Sequence, residues 1–528
     1  MSIVRIGSNA TAAKLYDSTP EIDDLVNKTL SYMVDNAGFS NAFTSGDWAG
    51  RSSFFSYTHK TFPAGFVHIV HATLTKAGHK VQLIKKPAPP PLGPENPIVD
   101  EFGNDNPDYD YQLQTIRQVD KHLAGIVQIA TGGGKSKVAK LLVARWRRPT
   151  LFLTTRSVLM RQMQEHYEAQ GLNVGVIGDG ELKVVRGVNV GMVQTLVARL
   201  KVDSQEKHMR DLCLKESGFT GTRKEMLAEA DRRIEAQKTR RARTMKVLDI
   251  FEVVIGEEAH EAGGDSYFEI LQACRNAHVR VALTATPFMR ENEVDNMRLA
   301  AAFGPLLIKV SEQTLIERGI LAKPIFKFAT CRSPDKLKGS TPWARAYELG
   351  FTENEFLNGD VVADAVKAAR LGLPVMTLIQ RKKHGTALRD LMEAAGLRVE
   401  FILGENNQAE RTRALKQLGS GAIDVLIGTN ILDVGVDVPA VGLVQLAGGG
   451  KAEVAHRQRI GRGLRRKKKG PNVAFIADYS TGLNSYHRQH TAQRRAIVDG
   501  TPGFVENVLP PGADLPWELF DAARAEAA

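Results

Sequence analysis

The sequence predicts an α/β protein in which two tandem parallel-sheet domains follow a small α+β domain and precede a helical C-terminal tail. Short apolar runs alternate with helical stretches from Gly125 onward, the alternation breaks near Ala322, and it restarts at Leu373. A proline-rich segment at residues 85–97 separates the N-terminal residues from this pattern. Strands that alternate with helices are typical of parallel sheets whose faces are covered by helices.

A chain of 528 residues is too long for a single core, so several domains are expected. The stretch KKPAPPPLGPENP favours extended structure of the polyproline II type, which marks a linker. We predict an N-terminal domain at 1–84, a linker at 85–98, α/β domains at 99–325 and 326–480, and a helical tail at 481–528.

The composition indicates a globular protein with a polyanionic partner. Apolar residues make up 43% of the chain and charged residues 24%, which excludes a disordered protein. No apolar run approaches the ~18 residues that a membrane span needs, so we expect a cytoplasmic protein without a membrane partner. The scattered Cys213, Cys274 and Cys331 indicate neither a disulfide framework nor a zinc site. A net charge of +11 favours nucleic acid.

The charged stretch 200–248 is predicted to be an exposed helix. A solvated face is the plainer interpretation of its charges, and contact with nucleic acid is the alternative.

The first apolar run of the α/β region, GIVQI, leads directly into ATGGGKS at 130–136, and an amphipathic helix follows. Three glycines in a strand-to-helix turn let backbone N–H groups point inward and cradle a phosphate. The lysine would reach the β- and γ-phosphates, and the serine would ligate Mg²⁺. The usual pattern has a glycine where this chain has Ile129. The candidate nucleotide contacts are Thr131, Gly132, Gly133, Gly134, Lys135 and Ser136.

Two carboxylates end a later strand, in FEVVIGEEAH. In nucleotide hydrolases one acid at this place holds Mg²⁺ through water, and a second orients the attacking water. We assign these roles to Glu257 and Glu258, with His260 linking the site to its surroundings. An acidic surface turn is the alternative. The next strand ends in VALTATP, where Thr284 and Thr286 are candidate hydroxyl contacts.

The second α/β half contains its own turn, IGTNILDVGVDVP at 427–439. The chain is expected to turn at Gly435, Asp437 is a candidate acceptor from a ribose, and Thr429 is a candidate contact to a nucleic-acid phosphate.

Arginines recur every third residue in QRIGRGLRRKKK, at Arg459, Arg462 and Arg465, which predicts one face of a helical turn. Their forked guanidinium groups suit a γ-phosphate, and an arginine supplied by a neighbouring domain can be worth ~10³ in rate. A basic surface helix is the rival interpretation.

The order of these motifs resembles superfamily 2 helicases of the DExH type over residues 108 to 480. The resemblance implies two RecA-like domains, ATP and Mg²⁺ as cofactors, and DNA or an RNA–DNA hybrid as partner. It identifies YDYQLQTI as the adenine-reading segment, with Gln112 at the glutamine position and Tyr109 or Tyr111 as stacking candidates.

The same resemblance assigns strand contacts to LTTRSVLMRQ and VQTL, namely Thr155, Arg156 and Thr195, and to His384 in the second half. One residue departs from the family pattern: the first acidic residue of this motif is normally Asp in the family, and in this chain it is Glu257. A displacement of about an ångström can cost ~10²-fold in rate, so we expect reduced or retuned hydrolysis.

The N-terminal stretch from Gly46 to Ile84 resembles, more loosely, phage helicases of recombination and branch migration, and so does STGLNSYHRQHTAQRRAIV in the tail. Trp48 and Phe62 are more often core residues than base-stacking platforms. The better candidates for phosphate contacts are Arg51, Lys60, Lys85 and Lys86.

These observations favour an ATP-dependent DNA helicase that remodels branched DNA or R-loops in recombination, repair or replication. The alternatives are a duplex translocase that separates no strands and an annealing protein whose ATPase is weakened by Glu257. We expect a monomer, which works with other recombination proteins in the cytoplasm of a bacterial or phage-infected cell.

Overall fold

The computed structural model describes residues 3–85, 87–214, 217–259, 264–288, 293–403, 406–429, 441–450, 460–461, 464–467 and 470–525. The chain forms two compact units, one of residues 1–129 with 135–309, the other of 130–134 with 310–528. No described helix has both the length and the apolar character to cross a membrane.

The N-terminal part of the first unit is a small sheet with two longer helices. Its elements are β1 (Ile3–Ser8), β2 (Ala12–Tyr16), α1 (Pro20–Thr29), β3 (Ser31–Met33), α2 (Asn41–Thr44), β4 (Arg51–Ser53), β5 (Thr61–Pro63), α3 (Val67–Lys76) and β6 (Lys80–Lys85). The strand order is β5-β2-β1-β6, with β1 antiparallel to β2 and parallel to β6. Val4, Ile6 and Leu15 alternate inward along their strands and share a core with residues of α1 and α3.

The rest of the first unit contains an open sheet whose strand order is β10-β9-β11-β8-β12-β13-β7-β14 in the described chain. Its elements are α4 (Asp110–His122), β7 (Ala124–Ile129), α5 (Lys135–Trp146), β8 (Thr150–Thr154), α6 (Ser157–Glu168), β9 (Val174–Gly178), β10 (Glu181–Lys183), β11 (Val188–Met192), α7 (Val193–Leu200), α8 (Gln205–Cys213), α9 (Arg223–Leu248), β12 (Val253–Glu257), α10 (Gly264–Ala273), β13 (Val279–Thr284), α11 (Glu293–Phe303) and β14 (Leu306–Val310).

The central strands β8, β12 and β13 are buried along their whole length, which explains their continuous apolar runs. The strands predicted between Gly125 and Thr284 all lie in this sheet, where β7, β13, β12, β8 and β11 run parallel to one another, and the predicted α/β class is confirmed. The charged stretch 200–248, which the sequence predicts as exposed helix, contains two helices, α8 and α9, with a break between them. The longer helix, α9, begins with a capping box between Thr222 and Glu225 and buries little of its surface.

The N-terminal sheet and the first α/β sheet share apolar contacts. Phe54 packs edge-on against Phe268 of α10 with ring centroids 6.0 Å apart, and Ala301 of α11 belongs to the N-terminal core. A side chain at Gly65 would place its Cβ 2.2 Å from the carbonyl oxygen of Ala300. The two parts are therefore in backbone contact, which only glycine permits at this place.

The proline-rich segment lies along the C-terminal end of α5. The N–H of Gly93 donates to the carbonyl of Arg145 over 2.8 Å, and a Cβ at Gly93 would lie 2.0 Å from the carbonyl oxygen of Ala144. Arg148 donates through Nε to the carbonyl of Pro90 over 2.9 Å. From Pro87 onward the segment contains no helix or strand among its described residues, and it is packed against the domain that follows it.

The second unit contains a parallel sheet of order β15-β20-β19-β16-β18-β17 within the described residues. Its elements are α12 (Glu312–Glu317), β15 (Lys323–Cys331), α13 (Trp343–Tyr347), α14 (Glu355–Arg370), β16 (Val375–Leu378), α15 (Lys382–Ala394), β17 (Val399–Ile402), α16 (Gln408–Ser420), β18 (Val425–Gly428), β19 (Leu443–Leu446), β20 (Val473–Thr481), α17 (Ser485–Asp499) and α18 (Glu518–Ala525).

The place where the sequence pattern breaks, AKPIFKF, is an edge strand of the second sheet. All nine residues of β15 pair with β20, so the predicted domain boundary at 325/326 falls inside a strand. An edge strand alternates between buried and partly exposed side chains, and this alternation hides it among the uniformly apolar central strands.

A chain of polar groups crosses the second core. Gln445 accepts from the Thr377 hydroxyl over 2.7 Å and lies 3.0 Å from the hydroxyl of Tyr479. Tyr479 donates to Asp364 over 2.7 Å. Lys327 bridges Asp364 to Asp514, which ties the residues after α17 to the sheet.

Candidate functional site

The glycine-rich turn follows β7 and ends where Lys135 begins α5. The N–H of Gly133 donates to the carbonyl of Ala130 over 3.0 Å. Gly132 and Gly134 have φ angles of +87° and +83°, which glycine adopts without steric cost. Successive backbone N–H groups in such a turn form an anion-binding concavity.

Lys135 and Glu258 form an ion pair beside this turn, with 3.2 Å between Nζ and Oε1. Lys135 is only 8% exposed. Glu258 has a φ angle of +44°, an unusual value for a residue with a side chain. Strained backbone of this kind concentrates at functional sites, where surrounding structure maintains it.

Glu257 is the last residue of β12 and is 4% exposed. Its carbonyl accepts a hydrogen bond from the Tyr267 hydroxyl over 2.9 Å, which fixes the backbone on which the carboxylate is mounted. Sequence reasoning did not single out Tyr267. The available signal was an aromatic residue ten positions after Glu257.

The two threonines after the acid pair lie at and just beyond the end of β13, the strand between β7 and β12. β13 pairs with β12 on one side and β7 on the other, so the carboxyl ends of all three strands meet at one edge. Gln128 at the end of β7 donates to the carbonyl of Ala285 over 3.1 Å. The N–H of Thr286 donates to the Thr284 hydroxyl over 3.2 Å. This edge therefore holds three of the predicted motifs.

The donors at this edge fit a magnesium ion that is held largely by phosphate and water. Ser136 is the second residue of α5 and half-buried, and Glu257 supplies a carboxylate. Within the described ranges no group of three His, Cys, Asp or Glu side chains could hold a metal without other ligands. Mg²⁺ usually binds one or two protein groups together with substrate phosphates and several waters.

The predicted adenine-reading segment forms the N-terminal part of α4. Gln112 and Tyr111 are both 3% exposed, whereas Tyr109 is half-buried at the start of the helix. The rings of Tyr109 and Tyr111 are 6.2 Å apart. Of the two stacking candidates, Tyr109 is the accessible one.

The predicted strand contacts of the first α/β domain follow adjacent strands. β8 and β11 are neighbours, and Thr155, Arg156 and Thr195 come shortly after their carboxyl ends. All three residues are half-buried. Gln194 donates to the carbonyl of Thr155 over 2.8 Å, which joins the two loops directly.

The structure contradicts the nucleic-acid contact predicted for His384. The side chain is fully buried, and Nε2 lies 2.9 Å from Oδ1 of Asn358 on α14. Burial lowers the pKa of His384 to about 4. The helical position of this residue faces the core, where its ring packs inside the second unit.

Several predicted residues of the second half, and one of the first, lie outside the described residues: His260, Gly435, Asp437, Arg459 and Arg462. Thr429 is described and half-buried after β18. Arg465 is also described, and the prediction that it lies on a helical face with Arg459 and Arg462 is wrong, because residue 465 is not helical. Its backbone forms a bridge with Leu321, and the N–H of Ala322 donates to the carbonyl of Leu464 over 2.6 Å.

In the N-terminal domain Arg51 is exposed and donates through Nη2 to the carbonyl of Ser31 over 3.0 Å. The indole N–H of Trp48 donates to the carbonyl of Arg51 over 2.7 Å. Phe62 is 2% exposed, so it is a core residue, which is the role that the sequence favoured over base stacking.

A buried arginine of the tail, which sequence reasoning missed, fixes the loop that leads toward the arginine motif. Arg494 of α17 forms two 2.6 Å bonds to Asp478, and both side chains are 3% exposed. Its Nη1 donates to the carbonyl of Gly450 over 2.7 Å, while Gln380 donates to the carbonyl of Gly449 over 3.0 Å. The acid inside the apolar strand NVAFIAD was the available signal.

Two family models match the chain. Residues 107–289 match the type III restriction enzyme res subunit, and residues 363–467 match the helicase conserved C-terminal domain. Together the two stretches span more than half of the chain.

Among curated proteins, the chain is 32% identical over 127 residues to the pre-mRNA-splicing ATP-dependent RNA helicase PRP28 of Yarrowia lipolytica. It is 30% identical over 143 residues to UvrABC system protein B of Lactiplantibacillus plantarum. These matches cover 23% and 26% of this chain, and only 22% and 21% of the relatives. The chain thus spans about a fifth of the length of the relatives it matches.

Among solved structures, the DUF1998 helicase MrfA bound to DNA has the same fold, with a TM-score of 0.53, 12% identity and coverage of 79% of this chain and 52% of that one. T4 UvsW matches with a TM-score of 0.44 and 18% identity over 97% of this chain and 99% of that one. The family matches, together with the two parallel sheets and the motif order along them, show that the chain belongs to the superfamily 2 helicases.

Proposed function

We propose that the chain is an ATP-dependent DNA helicase that remodels branched DNA such as forks, junctions and R-loops. The observation that supports this most directly is the ion pair of Lys135 and Glu258 beside a turn with two left-handed glycines. A phosphate-binding lysine and a water-orienting carboxylate are the two side chains that hydrolysis of a nucleoside triphosphate needs most.

In this proposal the ion pair couples nucleotide binding to hydrolysis. ATP draws Lys135 toward its β- and γ-phosphates, so the Glu258 carboxylate changes partner and becomes the group that orients water. Ser136 and Glu257 would hold Mg²⁺, which would supply neutralisation of the phosphate charge. Gln112 and Tyr109 position the adenine, and Thr131 lines the phosphate turn.

Arg462 and Arg465 are proposed to stabilise charge on the γ-phosphate, with Arg459, Gly435 and Asp437 completing the nucleotide contacts of the second domain. Strand contacts are assigned to Thr155, Arg156 and Thr195 in the first domain and to Thr429 in the second. Because these contacts are divided between two domains, each cycle of closing and opening would shift one domain along the strand.

Nucleic acid is favoured as the partner by the net charge of +11 and by the exposed Arg51 of the N-terminal domain. The proposed contacts reach the backbone of the nucleic acid, so little dependence on base sequence is expected.

The test measures ATP hydrolysis with and without a DNA fork, and strand displacement on forked and blunt duplexes, for the native chain and for Lys135→Ala. DNA-stimulated hydrolysis with displacement of the fork, both lost in Lys135→Ala, supports the proposal. Stimulated hydrolysis without displacement identifies a duplex translocase. Nucleic-acid annealing without any hydrolysis overturns the motor function.

A further inference from the structure

The outer face of the N-terminal sheet is open and carries basic side chains and the aromatic ring of Tyr16. Along β1, β2 and β6 the residues that alternate with the core point away from α1 and α3. We call this surface the outer face and define it by Arg5, Lys14, Tyr16, Lys80, Gln82 and Ile84. Tyr16 is 43% exposed and Ile84 is 46% exposed.

The strand register brings these residues together around one glycine. Arg5 pairs with Tyr16 on one side and with Gln82 on the other. Gly7, the next outward position of β1, pairs with Lys14 and with Ile84. A Cβ at Gly7 would lie 2.8 Å from the Tyr16 ring, so the absence of a side chain lets the ring lean across β1.

The charge on the outer face is positive. Arg5 is paired with Asp17 over 2.5 Å, and this hydrogen bond lowers the pKa of Asp17, which keeps the pair neutral as a whole. No described carboxylate forms an ion pair with Lys14 or Lys80. Nζ of Lys14 lies 5.6 Å from the centre of the Tyr16 ring, so an accessible aromatic ring and an uncompensated cation are adjacent.

We propose that the outer face binds single-stranded DNA, such as the unpaired arm of a fork. This proposal rests on the proposed helicase function. A base stacks on Tyr16, and the phosphates beside it contact Lys14 and Lys80. Aromatic rings on an open sheet with basic neighbours are the usual platform for unpaired bases. A duplex offers stacking faces only at its ends, and an apolar protein partner would leave the two lysines without anions.

The contacts with α10 and α11 keep the outer face at a fixed place on the first unit. Deletion of residues 1–85 would expose Phe268 and Ala301, so a loss of function after truncation would not distinguish binding from folding. Point variants on the outer face avoid this problem, because the side chains of Tyr16 and Lys14 point away from the core.

The experiment uses the full chain with the variants Tyr16→Ala and Lys14→Ala and measures binding to a DNA fork with unpaired arms and to a blunt duplex. Matched controls are Tyr57→Ala and Lys28→Ala. Tyr57 is 48% exposed and donates to Asp24 over 2.8 Å, and Lys28 is exposed on α1. ATP hydrolysis without DNA serves as the check on folding.

We expect Tyr16→Ala to weaken fork binding about tenfold, the effect of losing one base stack, and Lys14→Ala to weaken it less and to reduce its salt dependence. Binding to the blunt duplex, hydrolysis without DNA and both control variants should stay within twofold of the native chain. A 4-thiothymidine in the unpaired arm should crosslink to the peptide that contains Tyr16.

Equal losses on fork and duplex would show a duplex-binding face and overturn the proposal, as would unchanged fork binding in Tyr16→Ala. A native chain that binds the fork through Tyr16 but hydrolyses no ATP would overturn the proposed motor function and leave this inference standing. The two proposals are therefore tested separately.

Discussion

Nζ of Lys135 lies 3.2 Å from Oε1 of Glu258, and their side chains are 9% and 18% exposed. A buried ion pair gains little net stability, because the loss of hydration of both charges offsets their attraction. The left-handed backbone of Glu258 adds a cost of its own. Both costs are characteristic of a catalytic group that is held ready for its substrate.

Replacement of Glu258 by Gln should therefore lower the kcat for DNA-stimulated hydrolysis by about 10²–10³, since the amide cannot take the proton from water. The affinity for ATP should stay the same or increase, because Lys135 is no longer held by a carboxylate. Steady-state hydrolysis and equilibrium nucleotide binding measure the two effects. Glu235→Gln on the exposed face of α9 is the control, and a kcat of Glu258→Gln within threefold of the native value would contradict the assigned role.

The replacement Glu257→Asp tests the departure from the family pattern. Tyr267 fixes the carbonyl of residue 257, so the replacement shortens the side chain without moving the strand end, and a water between the carboxylate and Mg²⁺ can span the difference. We expect both the Glu and Asp forms to hydrolyse ATP with similar stimulation by a fork, and Glu257→Gln to lose at least ~10²-fold. Hydrolysis by the Asp form alone would identify the native chain as a nucleic-acid binder with a weakened ATPase.

The sequence predicts those parts of the fold that depend on local pattern. The central strands are buried on both faces, so their apolar runs mark them, and the phosphate turn is confined to consecutive residues from Thr131 to Ser136. Fold class and the positions of the acid pair follow from these signals.

The missed features depend on partners far away in the chain. His384 occupies a motif position, but Asn358, 26 residues earlier, meets its ring inside the core. Arg465 follows a helical spacing in sequence, while pairing with Leu321 extends its backbone. Spacing along one segment contains no information about which distant segment packs against it.

Loss of the buried pair of Arg494 and Asp478 should strongly destabilise the second unit. The Asp478 carboxylate is only 3% exposed, and Arg494→Gln removes its bidentate partner. A buried charge left without its partner typically lowers the free energy of unfolding by about 3–5 kcal/mol. Urea unfolding of the full chain measures the change. Arg495→Gln is the matched control: Arg495 is half-buried, its bond to Asp499 is 3.4 Å long and its guanidinium lies 5.1 Å from the centre of the Phe328 ring, so its cost should be about 1 kcal/mol or less.

A second variant of Arg494, Arg494→Lys, tests whether the tail positions the loop at Gly450. Arg494→Lys keeps a cation beside Asp478 but cannot donate to Asp478 and Gly450 in the same geometry. We expect it to fold and to lower kcat more than it changes the KM for ATP. An unchanged kcat in a folded Arg494→Lys variant would restrict Arg494 to a structural role.

The stability of the second unit should depend on pH through His384. Burial lowers the pKa of this residue from its ordinary 6.5 to about 4, so between these values the unfolded chain binds a proton that the native chain does not. Stability must then fall as pH decreases from 6.5 to 4, and it is constant with respect to this residue above pH 6.5. At pH 4 this effect should have lowered the free energy of unfolding by roughly 3 kcal/mol.

His384→Asn should remove the contribution of this residue to the slope, because the amide can still donate to Asn358 but does not titrate. His487, whose pKa burial also lowers to about 4, keeps its own contribution. Thermal unfolding between pH 4 and pH 7 measures the slope for the native chain, for His384→Asn and for the control His59→Asn, whose side chain is exposed. The native chain and the control should lose stability in parallel as pH falls, while His384→Asn loses less. Parallel curves for all three proteins would show that His384 becomes protonated in the folded state without cost, and that its burial does not govern the acid sensitivity of the second unit.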